Sequence, residues 1–167
     1  MKPGAVVWIT GLPCSGKSSL GQRLQSRLTQ MGKASILLDS DEIRYAMVPR
    51  VGYSPQEREG FYETLARLAA LLSQQRIHVI VAATSHRAAY RKRARGLAPR
   101  FIEVHVQTPV EECRQRDSKG LYAPAHAGNA PWFPGVVEKY EAPEKPDIVA
   151  TGGFDESAIE RALAALA

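Results

Sequence analysis

The chain has 167 residues, room for one domain with a sizeable core, and its 44% hydrophobic, 23% charged composition excludes collagen and low-complexity disorder. Two cysteines, Cys14 and Cys113, give no disulfide framework and agree with a reducing compartment. The net charge of +5 favours anionic partners such as nucleotides and phosphates, while the longest N-terminal apolar run, Ala5 to Ile9, is too short for a signal peptide or a membrane span. A cytoplasmic protein without a membrane partner is expected.

Short β-branched runs alternate with helical patterns along the chain. Ala5 to Thr10 reads as a buried strand, followed by a glycine-rich turn and an amphipathic stretch with Leu20, Leu24 and Leu28 at i+4 spacing. Ser35 to Leu38 is a second strand that ends in Asp39. Pro55 opens a helix with Leu65, Leu68, Ala69 and Leu72 on one face. His78 to Ala82 is a third strand and Ile102 to Val106 a fourth, with a basic helix from about Ala88 to Gly96 between them. Pro109 starts a helix that runs towards Arg116. Asp117 to Pro146 is polar, rich in Gly and Pro, and shows neither period; a short strand at Ile148 to Ala150 and a helix over Glu156 to Leu166 close the chain. No repeat interrupts the order.

This alternation predicts an α/β fold with a mostly parallel sheet and helices on both faces, in a single domain. Ligands in such sheets bind beyond the carboxyl ends of the strands. The residues after Thr10, Leu38, Ala82 and Val106 are therefore the ones to read for chemistry. The basic helix, carrying Arg91, Lys92, Arg93 and Arg95, reads as a solvated face. Tyr90 alone does not make the aromatic platform that single-stranded nucleic acid requires, so a nucleic-acid partner is not expected.

Gly11-Leu12-Pro13-Cys14-Ser15-Gly16-Lys17-Ser18 matches the phosphate-binding P-loop at every fixed position, directly after a strand and at the opening of a helix. Glycines at these positions let backbone N–H groups turn inward around a phosphate, and the helix N-terminus adds partial positive charge. Lys17 would reach the β- and γ-oxygens of ATP, and the Ser18 hydroxyl would ligate Mg²⁺. Residues Gly11 to Ser18, with Ser19 after them, are assigned to nucleotide binding. Cys14 lies near the helix N-terminus and Lys17, which both lower a thiol pKa; an oxidation-sensitive thiolate and a merely small residue are the two readings.

Asp39-Ser40-Asp41-Glu42 follows the second strand, with Arg44 soon after. Two carboxylates beside a P-loop can organise Mg²⁺ or take the proton of an attacking hydroxyl, and Arg44 can fork onto an acceptor's anion. Asp39 and Asp41 equally suit a helix N-cap and a first-turn acid, and both readings can hold at once. The third strand carries no acid from His78 to Thr84, which moves the metal role onto Asp39 or Asp41. The segment with Arg116, Asp117, Lys119, Trp132, Phe133 and Tyr140 is expected to form a lid that excludes water.

These motifs together resemble the adenylylsulfate (APS) kinase family over nearly the whole sequence, from about Val7 to Ile148. Its elements LDGDNxR, GFSxxDR, a FISP-like strand end, RDPKGLY, GFTG and YEAP appear as Leu38 to Arg44, Gly52 to Arg58, Ala83 to Ser85, Arg116 to Tyr122, Trp132 to Gly135 and Tyr140 to Pro143. The resemblance implies a P-loop nucleoside-triphosphate fold and transfer of the ATP γ-phosphate to the 3′-hydroxyl of APS. It also implies that Asp41 assists the hydroxyl, that Arg44 and Arg58 bind the acceptor's anion, and that Tyr53 and Phe133 stack on its base. Lys119 joins the acceptor set, Arg116 lies over the ATP adenine, and Ser85 matches a serine sometimes assigned as a phosphoserine. Dimers are common among proteins that resemble this one.

Several positions depart from the family pattern. KENIRR after GFSxxDR is Glu59 to Thr64 here, which puts Phe61 in place of an acceptor-contacting Asn and Glu63 in place of an Arg. The Pro after the FISP serine is His86, and the basic lid stretch KKARAGEIK is Ala123 to Pro131. Each lost charge-assisted contact is worth about 1.5–3 kcal/mol. Two alternatives accompany the APS reading: a 3′-kinase for another nucleotide-type acceptor, such as cytidine diphosphoramidate, or another small alcohol, and a catalytically silent nucleotide-binding protein.

Overall fold

Five apolar runs become the five strands of one sheet, β1 (Val6–Gly11), β2 (Ser35–Asp39), β3 (His78–Ala82), β4 (Phe101–Val106) and β5 (Ile148–Ala150). The structure, a computed structural model, describes residues 2–117, 120–126, 134 and 138–167. The strand order is β2-β3-β1-β4-β5 and every pairing is parallel. Parallel neighbours require crossovers, and helices supply them on both faces.

The period of two along β1 divides the core. Val7 and Ile9 point into one cluster with Leu20, Leu24 and Leu28 of α1 (Lys17–Gln30) and Ile159 of α7 (Glu156–Ala165). Val6 and Trp8 point the other way, into a cluster with Phe61 and Leu65 of α3 (Pro55–Gln74) and Tyr90 and Ala94 of α4 (Ala88–Leu97). α3 begins with Pro55 behind a capping box in which the Ser54 hydroxyl accepts from the Glu57 amide and the Glu57 carboxylate accepts from the Ser54 amide. Shorter helices are α2 (Ser40–Ala46), α5 (Val110–Gln115) and α6 (Tyr122–His126). The last lies where the sequence shows no period, and at five residues it is too short to leave one.

The basic helix departs from the expectation of a solvated face. Arg91 of α4 is buried, with Nε donating to Glu103 Oε1 at 2.9 Å, one Nη to the Ser85 carbonyl at 2.6 Å and the other to the Glu141 carbonyl at 2.6 Å. Arg93 pairs with Glu59 on α3, and Arg95 pairs with Asp147. Glu141 does more, because its carboxylate accepts from the Ala88 amide at 2.7 Å and so caps α4, whose own N-cap residue Arg87 offers no side-chain cap. Among the described residues no helix is long and apolar enough to cross a membrane.

Removing one member of a buried ion pair strands the other's charge. Arg91→Met is expected to cost about 3–5 kcal/mol of stability, read as a lower urea midpoint, because Glu103 and two carbonyls lose their donor.

Candidate active site

The pairing register lines up the carboxyl ends of the strands. Asp39 and Ile9 both sit opposite Ala82, Gly11 is opposite Val106, and Val106 is opposite Ala150. At this edge the segments that follow β1, β2, β3 and β5 contribute residues to the lining of a cleft of about 760 Å³. On its floor is the loop after β1. Gly16 holds φ 101°, and a Cβ there would stand 2.6 Å from the Gly153 amide nitrogen, so only glycine fits. As N-cap of α1 it offers no side chain, which leaves the first amides of that helix for an anion. Thr108 Oγ1 donates to the Ser15 carbonyl at 2.7 Å and Tyr122 Oη to the Pro13 carbonyl at 2.8 Å, which fixes the loop from outside.

Lys17 Nζ folds back onto the Leu12 carbonyl at 2.7 Å. Desolvation lowers its pKa to about 8, against the opposing pull of Asp41 and Asp39. The ammonium is thus poised for a partner of opposite charge. Ser18 Oγ donates to Asp39 Oδ2, while Asp39 Oδ1 accepts from the Asp41 amide at 3.0 Å and caps α2. A hydroxyl and a carboxylate in contact at the mouth of a phosphate loop are hard oxygen donors, the set that Mg²⁺ takes together with phosphate oxygens and water. These residues fit the ion. The cap reading and the metal reading of Asp39 are therefore compatible.

Across the cleft, α2 and the start of α3 form a cationic wall. Arg44 is 7% exposed; its Nη1 donates to the Gly52 carbonyl at 2.6 Å, and its guanidinium carbon lies 3.7 Å from the Phe61 ring centre and 4.6 Å from that of Tyr53. Arg58, also buried, approaches Glu138 Oε2 at 3.5 Å, and the same oxygen lies 2.5 Å from His86 Nε2. Burial first, then Arg58, pushes the His86 imidazole below its ordinary pKa, against Glu138. Arg116, hydrogen-bonded to Glu112 at 2.8 Å, borders the main cleft and a smaller cavity of about 410 Å³ beside Gly153 and Phe154.

Most of the residues singled out in the sequence meet here: Pro13, Cys14, Gly16, Lys17, Ser18, Ser19, Asp39, Asp41, Arg44, Tyr53, Arg58 and Arg116 all border the main cleft. Ser85 does not. It is fully buried, its Oγ accepts from Trp8 Nε1 at 2.8 Å and donates to the Ala83 carbonyl at 3.0 Å, and Thr84 takes the place on the cleft wall. A catalytic or acceptor-binding role for the Ser85 hydroxyl is at odds with this placement. Burial and Asp117, whose carboxylate lies 3.7 Å from Sγ, raise the Cys14 pKa despite Lys17, which favours the reading of Cys14 as merely a small residue. Glu63 pairs with Arg67 at 2.7 Å on the outer side of α3 and does not border the cleft. Lys119, Trp132 and Phe133 lie outside the described residues.

The sequence reading passed over Gly153 and Phe154, which border both cavities. Their signal was available, since Gly152-Gly153 follows the last strand at the same carboxyl edge.

A family model described as adenylylsulphate kinase matches residues 3–151. The chain belongs to the adenylylsulphate kinase family. Members of this family are ATP-dependent phosphotransferases that act on a hydroxyl group. The adenylyl-sulfate kinase of Paraburkholderia xenovorans is 40% identical over 147 residues, covering 87% of this chain and 82% of that protein. A probable adenylyl-sulfate kinase of Pseudomonas aeruginosa is 39% identical over 146 residues, covering 87% and 68%. Among solved structures, the Mycobacterium tuberculosis APS kinase CysC in complex with AMPPNP and APS superimposes with a TM-score of 0.90 at 33% identity, covering 99% of each chain. The kinase fold and the cleft agree with that membership.

Two expectations follow for the site. With the charged form of Lys17 as the partner of nucleotide phosphates, the affinity for ATP should fall as pH rises through about 8, a slope that Lys17→Ala should abolish in a calorimetric titration series. Ser85→Ala should keep turnover while costing about 1–3 kcal/mol of stability, because the Trp8 indole loses its acceptor; comparing kcat with the urea midpoint separates the two.

Proposed function

We propose that this chain transfers the γ-phosphate of ATP to the 3′-hydroxyl of adenylylsulfate, giving 3′-phosphoadenylylsulfate and ADP. One observation supports the reading: a phosphate loop and a wall of arginines and a tyrosine border the same cleft, with Asp41 in the first turn of the helix that carries Arg44. The loop amides and Lys17 hold the ATP phosphates, and Arg116 with Phe154 borders the nucleotide end. Ser18 and Asp39 would hold Mg²⁺, which supplies charge neutralisation on the phosphate oxygens.

Asp41 is the residue that takes the hydroxyl proton. Asp39 is committed on both oxygens, one to Ser18 and one to the Asp41 amide, and sits buried at the strand end. Asp41 lies two residues further on, in the first turn of α2, with an exposed side chain on the cleft. Arg44 and Arg58 take the anionic part of the acceptor, and the exposed Tyr53 ring stacks on its base. No covalent intermediate is needed, because direct in-line transfer between two bound substrates suffices. A second reading, a different nucleotide-type acceptor, is favoured by one feature: Phe61 stands where the family pattern has an amide.

A coupled ADP-release assay with Mg-ATP tests both, offering APS beside a panel of nucleotide acceptors. Turnover of APS is expected, and turnover of another acceptor without APS selects the second reading. Asp41→Asn should lower kcat by about a hundred- to ten-thousand-fold with the KM for ATP little changed.

A further inference from the structure

Phe61 is buried on α3, 2% exposed, in the cluster that joins that helix to the sheet. Its ring is not only core. The Arg44 guanidinium carbon stands 3.7 Å from its centre, closer than any other cation to any ring among the described residues. The aromatic face is electron-rich, so a guanidinium so placed is attracted by the ring quadrupole, the more strongly where water is excluded. Arg44 is itself 7% exposed, which places the contact in that regime. Tyr53, 54% exposed, reaches the same guanidinium at 4.6 Å, and the Gly52 carbonyl accepts from Nη1 at 2.6 Å.

An arginine side chain in a cleft gives up considerable rotamer freedom when it binds an anion. Here two ring contacts and the bond to the Gly52 carbonyl already constrain the guanidinium before the acceptor arrives. The ring holds the guanidinium without supplying a second carbonyl or carboxylate, so the contact positions the cation and does not neutralise it. Arg58, by contrast, stands beside a carboxylate, Glu138, at 3.5 Å. The two arginines of the wall are thus held by different means.

We propose that Phe61 is a positioning residue for the acceptor: it sets Arg44 for the acceptor's anionic group and so determines acceptor affinity. This rests on the acceptor reading above. The chemical class it serves is a nucleotide-type acceptor with a phosphoryl or sulfuryl anion within reach of Arg44 and a planar base within reach of Tyr53. Phe61 touches neither substrate and acts through Arg44.

The test is a double-mutant cycle in the full chain, with Phe61→Leu, Arg44→Lys and the double variant, and steady-state kinetics on APS or on whichever acceptor the panel turns over. Phe61→Leu should raise the acceptor KM about five- to ten-fold while kcat and the KM for ATP stay within about two-fold. In the Arg44→Lys background, where the planar guanidinium is gone, the same substitution should move the acceptor KM by less than about two-fold. Phe61→Met, which removes the ring and offers a flexible unbranched chain to fill its place, should repeat the result and serves if the leucine variant does not fold. An unchanged acceptor KM, an equal loss in ATP affinity, or additive effects in the cycle would overturn the inference while leaving the kinase reading intact. A wild-type protein inactive on every acceptor would overturn the reading and the inference with it.

Discussion

The carboxylate of Asp39 is the joint on which the site turns. It ends β2 in register with Ala82, and from that fixed point it binds the Ser18 hydroxyl of the phosphate loop with one oxygen and the Asp41 amide with the other. A single side chain therefore couples the start of α1 to the start of α2. The coupling matters for the proposed reaction, in which the two helices would carry opposite halves of the chemistry: Lys17 and Ser18 on one, Asp41 and Arg44 on the other. Transfer between two substrates depends on their relative placement to within an ångström or so. Joining both helices through one buried carboxylate at the end of a central parallel sheet gives that placement a rigid reference.

A second joint closes the far side. After β3 the chain turns through Ser85 and His86 into α4, and the segment at Tyr140 and Glu141 returns across that turn. Glu141 caps α4 with its carboxylate, its amide donates to the His86 carbonyl at 2.8 Å, and its own carbonyl accepts from Arg91. Tyr140 adds a 3.0 Å hydrogen bond to Thr10 at the end of β1, and burial pushes its phenol up to about 12, so it stays protonated there. The YEAP stretch thus works as a clasp that ties β1, β3 and α4 together beneath the cleft. Arg91 is the charged centre of this clasp, which explains why a helix with so many basic residues keeps one of them in the interior.

What the sequence made legible follows from period and spacing. The strands, the helix after the P-loop and the helix opened by Pro55 each carry a long or strongly patterned signal, and Gly11, Gly16, Lys17 and Ser18 occupy fixed offsets that only a phosphate loop uses. Asp39 and Asp41 were legible as a pair, and the division of labour between them was not, because it depends on which oxygen meets Ser18. Ser85 illustrates the opposite case. A motif match placed it at the strand end, but its positive φ of 41° turns the hydroxyl towards Trp8, and rotation of one residue into the core is invisible to a pattern. Arg91 escaped for a related reason: alternating basic residues on a helix look alike until Glu103 is found opposite one of them. The Gly152-Gly153-Phe154 edge was readable in principle, since the rule that ligands sit beyond carboxyl ends applies to the fifth strand as much as to the first.

The departures from the family pattern sort themselves by distance from the cleft. Glu63 belongs to the solvent face of α3 and pairs with Arg67, so the charge reversal there leaves the acceptor wall untouched. Phe61 and His86 lie behind that wall, Phe61 against Arg44 and His86 beside the Glu138 that approaches Arg58. Burial and Arg58 hold the His86 imidazole below its ordinary pKa against the pull of Glu138, whose Oε2 lies beside both His86 Nε2 and Arg58. An incoming anion must share Arg58 with that resident carboxylate, whereas Arg44 is held by rings and a carbonyl that bring no formal charge. On the proposed reading, selectivity among acceptors would depend on how well their anionic group reaches Arg44, and Phe61 is the departure from the family pattern that lies against that guanidinium.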